Sequence, residues 1–201
     1  MKTLSRLLAV IVVLVVSSMS FAEKLEGEKE KESKLSRREI RKLERKKRRE
    51  AARLAEEYQA AMTDMMIQNK NFVLETDRLY DRYGNSVNVN SSTNYVSVVE
   101  DRAVLQLAFE EIPAGLNGLG GVTCVGKVNK YEFKQEENGS YWVSYSLFGP
   151  NGTFDVSMSV LPNGSATANI RGNWGEALKY QGRIVPSAKT RTYEGHQDYT
   201  F

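Results

Sequence analysis

The chain has 201 residues, 28 Lys+Arg against 25 Asp+Glu, and only one His and one Cys. Hydrophobic residues make up 41% and charged residues 26%, which allows a globular fold and excludes wholesale disorder. One Cys excludes a disulfide framework and a cysteine-rich zinc site, and one His removes most histidine-based metal sites and catalytic triads.

Lys2 and Arg6 precede an unbroken apolar run from Leu7 to Val16, and Ser20-Phe21-Ala22 sets small residues at −3 and −1 before Glu23. That layout predicts a secretory signal peptide over residues 1–22, cut after Ala22. As helix the apolar run would span roughly 15 Å, about half of the ~30 Å that a bilayer core requires. The sole cysteine is Cys124, so no cysteine stands at the cleavage point to carry a lipid. The expected location is periplasmic or secreted, and not as a lipoprotein. Cys124 falls in an apolar, strand-like stretch and is expected to be buried and inert; an intermolecular disulfide is the alternative.

Residues 23–68 read as a charged, basic helical segment. Between Leu35 and Ile67 there is no Pro or Gly, and Glu, Lys, Arg and Ala dominate. Arg37 to Arg53 holds ten basic and three acidic residues. Ile40, Leu43, Lys47, Ala51, Leu54, Tyr58, Ala61 and Met65 recur at helical spacing, which predicts an apolar stripe, thin in the basic half and thickened from Ala51 onward by Met62, Met66 and Ile67. A strict heptad from Ile40 would place Glu50, Glu57 and Asp64 at core positions, which disfavours a coiled coil. The helix is expected to dock through its C-terminal turns while its basic half faces solvent. Arg41, Arg45, Lys46, Lys47, Arg48 and Arg49 form a candidate patch for an anionic membrane surface or an acidic partner. Export removes the chain from nucleic acid.

From residue 69 to 187 the period changes from 3.6 to 2. Phe72 to Leu79, Tyr95 to Val99, Ala103 to Phe109 and Val122 to Phe133 read as strands, the last with a parity switch between Val128 and Tyr131 that predicts a β-bulge. Tyr141 to Phe148, Phe154 to Val160, Ala166 to Arg171 and Leu178 to Ile184 each alternate an apolar with a polar face. Asn138-Gly139, Asn151-Gly152 and Asn163-Gly164 supply turns that tolerate positive φ. The expected fold is mainly β, an antiparallel meander of about eight strands forming a small barrel or half-barrel, with a two-sheet sandwich second. Residues 188–201 read as a loose polar tail.

Little here suggests catalysis. The Gly-rich stretch from Gly115 to Gly121 lacks the Lys-Ser/Thr of a phosphate loop. Most acidic pairs are adjacent residues, which point to opposite faces of a strand. Glu75 and Asp77 would share a face, with Arg78 and Arg82 near enough to pair with them. Only Glu75, Asp77 and His196 gathered in one cleft would revive an enzyme. No catalytic residue, metal or cofactor is expected. On the inner face Tyr141, Tyr145, Met158 and Tyr180 alternate with small Ala166, Ala168 and Gly182, either as interdigitated core or as the lining of a pocket with Trp174 at its rim.

Phe72-Val-Leu-Glu-Thr-Asp-Arg, Asn94-Tyr-Val-Ser-Val, Asp101-Arg-Ala-Val-Leu-Gln, Asn117-Gly-Leu-Gly-Gly-Val and Ala166-Thr-Ala-Asn-Ile-Arg-Gly-Asn resemble, in order, domain-of-unknown-function family 4251, exported proteins of Bacteroidetes. The similarity covers about residues 69–191 and leaves the basic helix outside. It implies export and an all-β domain, and no activity. Many members are lipoproteins; without the cysteine, that anchoring does not carry over. The expected function is thus an exported, non-enzymatic envelope protein. It would act as a barrel binding module for a small or apolar ligand, or as an interaction protein using its basic helix.

Overall fold

The structure, a computed structural model, describes residues 36–109, 118–172 and 177–196. The leader and Trp174 lie outside them. The chain divides into two compact units, one ending at Arg53 and one beginning at Leu54.

In the first unit the described residues belong to helix α1 (Arg37–Gln68), opened by Ser36 and Glu39, whose carboxylate accepts the Ser36 N–H at 2.9 Å. In the second unit α1 ends on Lys70 at φ 50, and among the described residues nine strands follow: β1 (Asn71–Tyr80), β2 (Ser86–Asn88), β3 (Tyr95–Val99), β4 (Arg102–Leu107), β5 (Val122–Gln135), β6 (Tyr141–Gly149), β7 (Gly152–Val160), β8 (Ser165–Gly172) and β9 (Ala177–Val185). Every pairing is antiparallel, and β1 pairs with β9 as well as β3. The eight main strands therefore close into a barrel, while short β2 covers the far half of the β1 edge. Closure removes the free strand edge that a half-barrel would expose.

The predicted bulge is present. The β5–β6 register shifts between Asn129 and Glu132, with Lys130 at φ 52. Because of that shift Cys124 and Val128 face inward before it, and Tyr131 after it. Two of the three Asn-Gly pairs divide their labour: glycine takes the positive φ, and the asparagine side chain accepts a backbone N–H two residues on. Gly139 has φ 78 and Gly164 φ 82, while Asn138 Oδ1 accepts Ser140 N–H and Asn163 Oδ1 accepts Ser165 N–H. Both are three-residue loops rather than two-residue turns.

The helix docks where the predicted stripe thickens, through Met66 and Ile67 with Thr63 beside them, and not through the stripe's earlier members. Thr63, Met66 and Ile67 are buried, whereas Leu54, Tyr58 and Met65 are 58–62% exposed. Thr63 Oγ1 donates to Pro162 O at 3.2 Å, Tyr131 OH donates to Ile67 O at 2.8 Å, and Tyr141 OH donates to Asp64. The last turns of α1 thus stopper the barrel end that carries the 136–140 and 161–164 turns.

The C-terminal segment also departs from expectation. Instead of a loose tail, residues 187–196 run over the outer face of β1 and β4. Gln106, fully buried, donates to Thr93 O and Tyr193 O, and its Oε1 accepts from Thr123 Oγ1 and Gly195 N. Thr190 donates to Glu75, and Arg102 pairs with Glu194 at 2.5 Å. Val73, Tyr95 and Val104 form a second apolar cluster on this outer face.

Cys124 is fully buried, and burial pushes its thiol up to about 11. At about pH 8 the native protein should resist a thiol reagent, and one equivalent should react on unfolding. A disulfide-linked dimer on a non-reducing gel would contradict this.

Candidate functional site

The barrel interior holds the residues singled out for a pocket. Tyr141, Tyr145, Met158 and Tyr180 are each no more than 3% exposed and belong to the main core with Ala166 and Ala168. Tyr145 stacks on Tyr131 at 6.0 Å between centroids. Among the described residues its hydroxyl has no hydrogen-bond partner, and neither has the buried hydroxyl of Thr76. Burial holds the Tyr145 and Tyr180 phenols well above their ordinary range. Trp174, the fifth candidate, lies outside the described residues.

The acidic residues are dispersed. Glu75 takes the Thr190 hydroxyl, Arg78 donates to Asn88, and Arg82 donates to the Tyr83 hydroxyl, so the anticipated pairing of these arginines with Glu75 and Asp77 does not form. A bulge between Thr76 and Arg78 also interrupts the alternation. His196 approaches Gly118. Among the described residues no group of three or more His, Cys, Asp or Glu is placed to hold a metal ion.

In the first unit Arg41, Arg45, Lys46, Lys47, Arg48 and Arg49 are all exposed on α1. Arg41, Arg45, Arg48 and Arg49, at spacings of four, seven and eight, fall on one side of the helix. Among the described residues no helix is long and apolar enough to cross a membrane.

A further feature escaped sequence reasoning: a groove of about 370 Å³ on the outer face of β5–β8. Strand register builds it in rows. Glu132, Ser144, Ser157 and Asn169 lie side by side across the four strands, and the next row runs Asn129, Ser146, Asp155 and Arg171. Serines make the floor low, while the β5 bulge lifts Lys130 and Glu132 into one wall. Arg171 and Ala177 stand at the other. Ser146 donates to Asp155 at 2.7 Å. Glu132, Ser144, Ser157, Asn169 and Arg171 make no side-chain hydrogen bond to another described residue. Trp142 and Phe148, on the same outward face of β6 at either side of Ser144 and Ser146, are 45% and 49% exposed. Alternation had marked these positions as the wet face. What it could not show is which rows meet across four strands.

A closed eight-stranded antiparallel barrel, stoppered by a helix and grooved on its outer wall, defines the class of the second unit. A family model described as "Domain of unknown function (DUF4251)" matches residues 53–184. The chain belongs to the DUF4251 family. The match begins within α1, so the last turns of the helix belong to the shared domain, earlier than the expected start near residue 69. A crystal structure of a DUF4251 family protein from Bacteroides eggerthii is similar to this chain with a TM-score of 0.57 and 26% identity, covering 66% of this chain and 91% of that one. None of the curated proteins matches.

Proposed function

We propose that this chain is an exported, non-enzymatic barrel module that works by binding, and that its binding surface is the outer groove of β5–β8. One observation carries the reading: several polar side chains with unused hydrogen-bonding capacity converge on one concavity of a rigid sheet. Unpaired polar groups gathered on a rigid surface are ready to exchange water for a ligand at little ordering cost. The interior is occupied by Tyr141, Tyr145, Met158 and Tyr180, so a ligand on the outer face requires no core rearrangement. Export rests on the leader-like residues 1–22.

Expressed in an exporting host, the protein should have a denatured mass short by residues 1–22; retention of the leader would count against export. Labelled protein titrated with cell-envelope extract should show amide shifts at Ser144, Ser157 and Asn169, abolished by Ser157→Phe, which fills the groove. Shifts confined to interior residues, or turnover of the bound compound, would overturn the reading.

A second reading concerns the basic residues of α1, favoured by the exposure of all six and by the alignment of Arg41, Arg45, Arg48 and Arg49 on one helical side. Each basic residue near an anionic membrane contributes about 1 kcal/mol. Replacing Arg45, Lys46, Lys47, Arg48 and Arg49 with Gln should therefore abolish co-sedimentation with phosphatidylglycerol vesicles at low salt. Raising salt should release the native protein. Sedimentation indifferent to both changes would rule it out.

A further inference from the structure

The chemistry of the groove narrows what it can hold. Two cationic side chains, Lys130 and Arg171, and two carboxylates, Glu132 and Asp155, line it, so its formal charge balances to zero. A groove with equal charges of both signs has no net attraction for an anion or a cation, and Ser146 already occupies Asp155. It offers instead a dense mixture of donors and acceptors: the hydroxyls of Ser144 and Ser157, the Asn169 amide, the Arg171 fork and the Glu132 carboxylate. That mixture matches a ligand carrying many hydroxyl groups, each both donor and acceptor. The floor combines Ser144, Ser146 and Ser157 with apolar surface from Tyr145, Val156 and Ile170 beneath them, the mixture that the hydroxyl-bearing and C–H faces of a sugar present.

Trp142 and Phe148 complete the arrangement. They are six residues apart on one strand, roughly 20 Å at strand rise, and stand on the outward face of β6 to either side of Ser144 and Ser146, outside the lining of the groove itself. Aromatic faces carry negative charge density and attract the polarised C–H groups of a pyranose face. An extended chain of sugar units reaches both rings while filling the groove between them, which a monosaccharide cannot. An extended peptide is the natural competitor, and the topology disfavours it. β5 to β8 are each paired on both sides within the barrel, so they offer no free backbone edge to augment.

We propose that the outer face of β5–β8 binds a neutral oligosaccharide chain, with Trp142 and Phe148 stacking on sugar rings and Glu132, Ser144, Ser157, Asn169 and Arg171 hydrogen-bonding its hydroxyls. The proposal rests on the binding reading above and specifies its ligand.

The test uses the full chain, isotopically labelled, titrated separately with hexasaccharides of glucose, mannose, xylose and N-acetylglucosamine, with the matching monosaccharides, and with a pool of unstructured hexapeptides. At least one hexasaccharide should shift the amides of Trp142, Ser144, Ser157 and Asn169, more strongly than its monosaccharide. Trp142→Ala should weaken that binding about tenfold, as loss of one stacked ring implies. Because Trp142 is half exposed, this variant should keep the wild-type spectrum elsewhere. If the hexapeptides shift these residues and no hexasaccharide does, the sugar proposal falls while the groove survives as a binding surface. If neither set touches the groove, both fall.

Discussion

Raising the pH from about 9 to 11.5 should unfold the β-domain in one cooperative step. Tyr95, Tyr145 and Tyr180 are no more than 3% exposed, and burial is the first cause holding each phenol above its ordinary value near 10. For Tyr95 the neighbouring Glu194 carboxylate adds to this and Arg102 opposes it. Burial likewise raises the Cys124 thiol to about 11. All four groups keep their protons in the folded state at a pH where the unfolded chain releases them. Their contribution is intact below the unfolded values, then falls as pH rises, by about 1.4 kcal/mol per pH unit for each group once its unfolded value is passed. By about pH 11.5 the loss is on the order of 9 kcal/mol, comparable to the whole stability of a typical domain.

Circular dichroism and phenolate absorbance read the two halves of this prediction together. The phenolate signal of the buried tyrosines should appear only with loss of the fold. A fold persisting above about pH 12 would contradict it. Tyr145→Phe provides an internal check. Its hydroxyl is buried without a partner, so removal should be neutral or stabilising by about 1 kcal/mol and should move the transition to higher pH.

Gly182→Ala should be the most damaging small substitution in the domain. Gly182 lies on β9 at the seam that closes the barrel, paired with Thr76 beside the β1 bulge. A methyl group there would stand 1.9 Å from the Glu75 carbonyl oxygen and 2.9 Å from Thr76 Cα. Both atoms are backbone, so relief requires the β1–β9 ladder to separate. The expected cost exceeds about 3 kcal/mol, beyond ordinary overpacking. The reverse exchange on the adjacent strand calibrates it: Ala168→Gly should cost only about 1 kcal/mol through backbone entropy. Urea denaturation of both variants decides the matter. Equal midpoints would show that the seam tolerates a side chain.

Period-2 patterning marked β6 to β9, because a barrel strand with a dry inside and a wet outside must alternate, while β3 and β4, read as strands from their apolar runs, are buried on both faces. Only the three-residue β2 was missed, too short to display a period. The bulge in β5 was legible for the same reason, since an inserted residue reverses parity between Val128 and Tyr131. The helix was legible in its length, and its docking face in part. The stripe's thickening at Met66 and Ile67 marked two of the residues that the barrel end receives, but Leu54, Tyr58 and Met65 of the same stripe stay exposed, and polar Thr63 is the third buried position, fitting against the 161–164 turn.

Closure itself depended on a pairing between β1 and β9 over a hundred residues apart, which no local pattern encodes. The same holds for the C-terminal strap. Polar residues 187–196 look unconstrained in sequence, and only the proximity of Gln106, Glu75 and Arg102 gives their backbone and side chains partners. The groove is the clearest case. Sequence alone determined that Ser144, Ser157 and Asn169 face outward. Three antiparallel registers then set them in one row beside Glu132, turning unremarkable surface positions on four strands into a single concave surface.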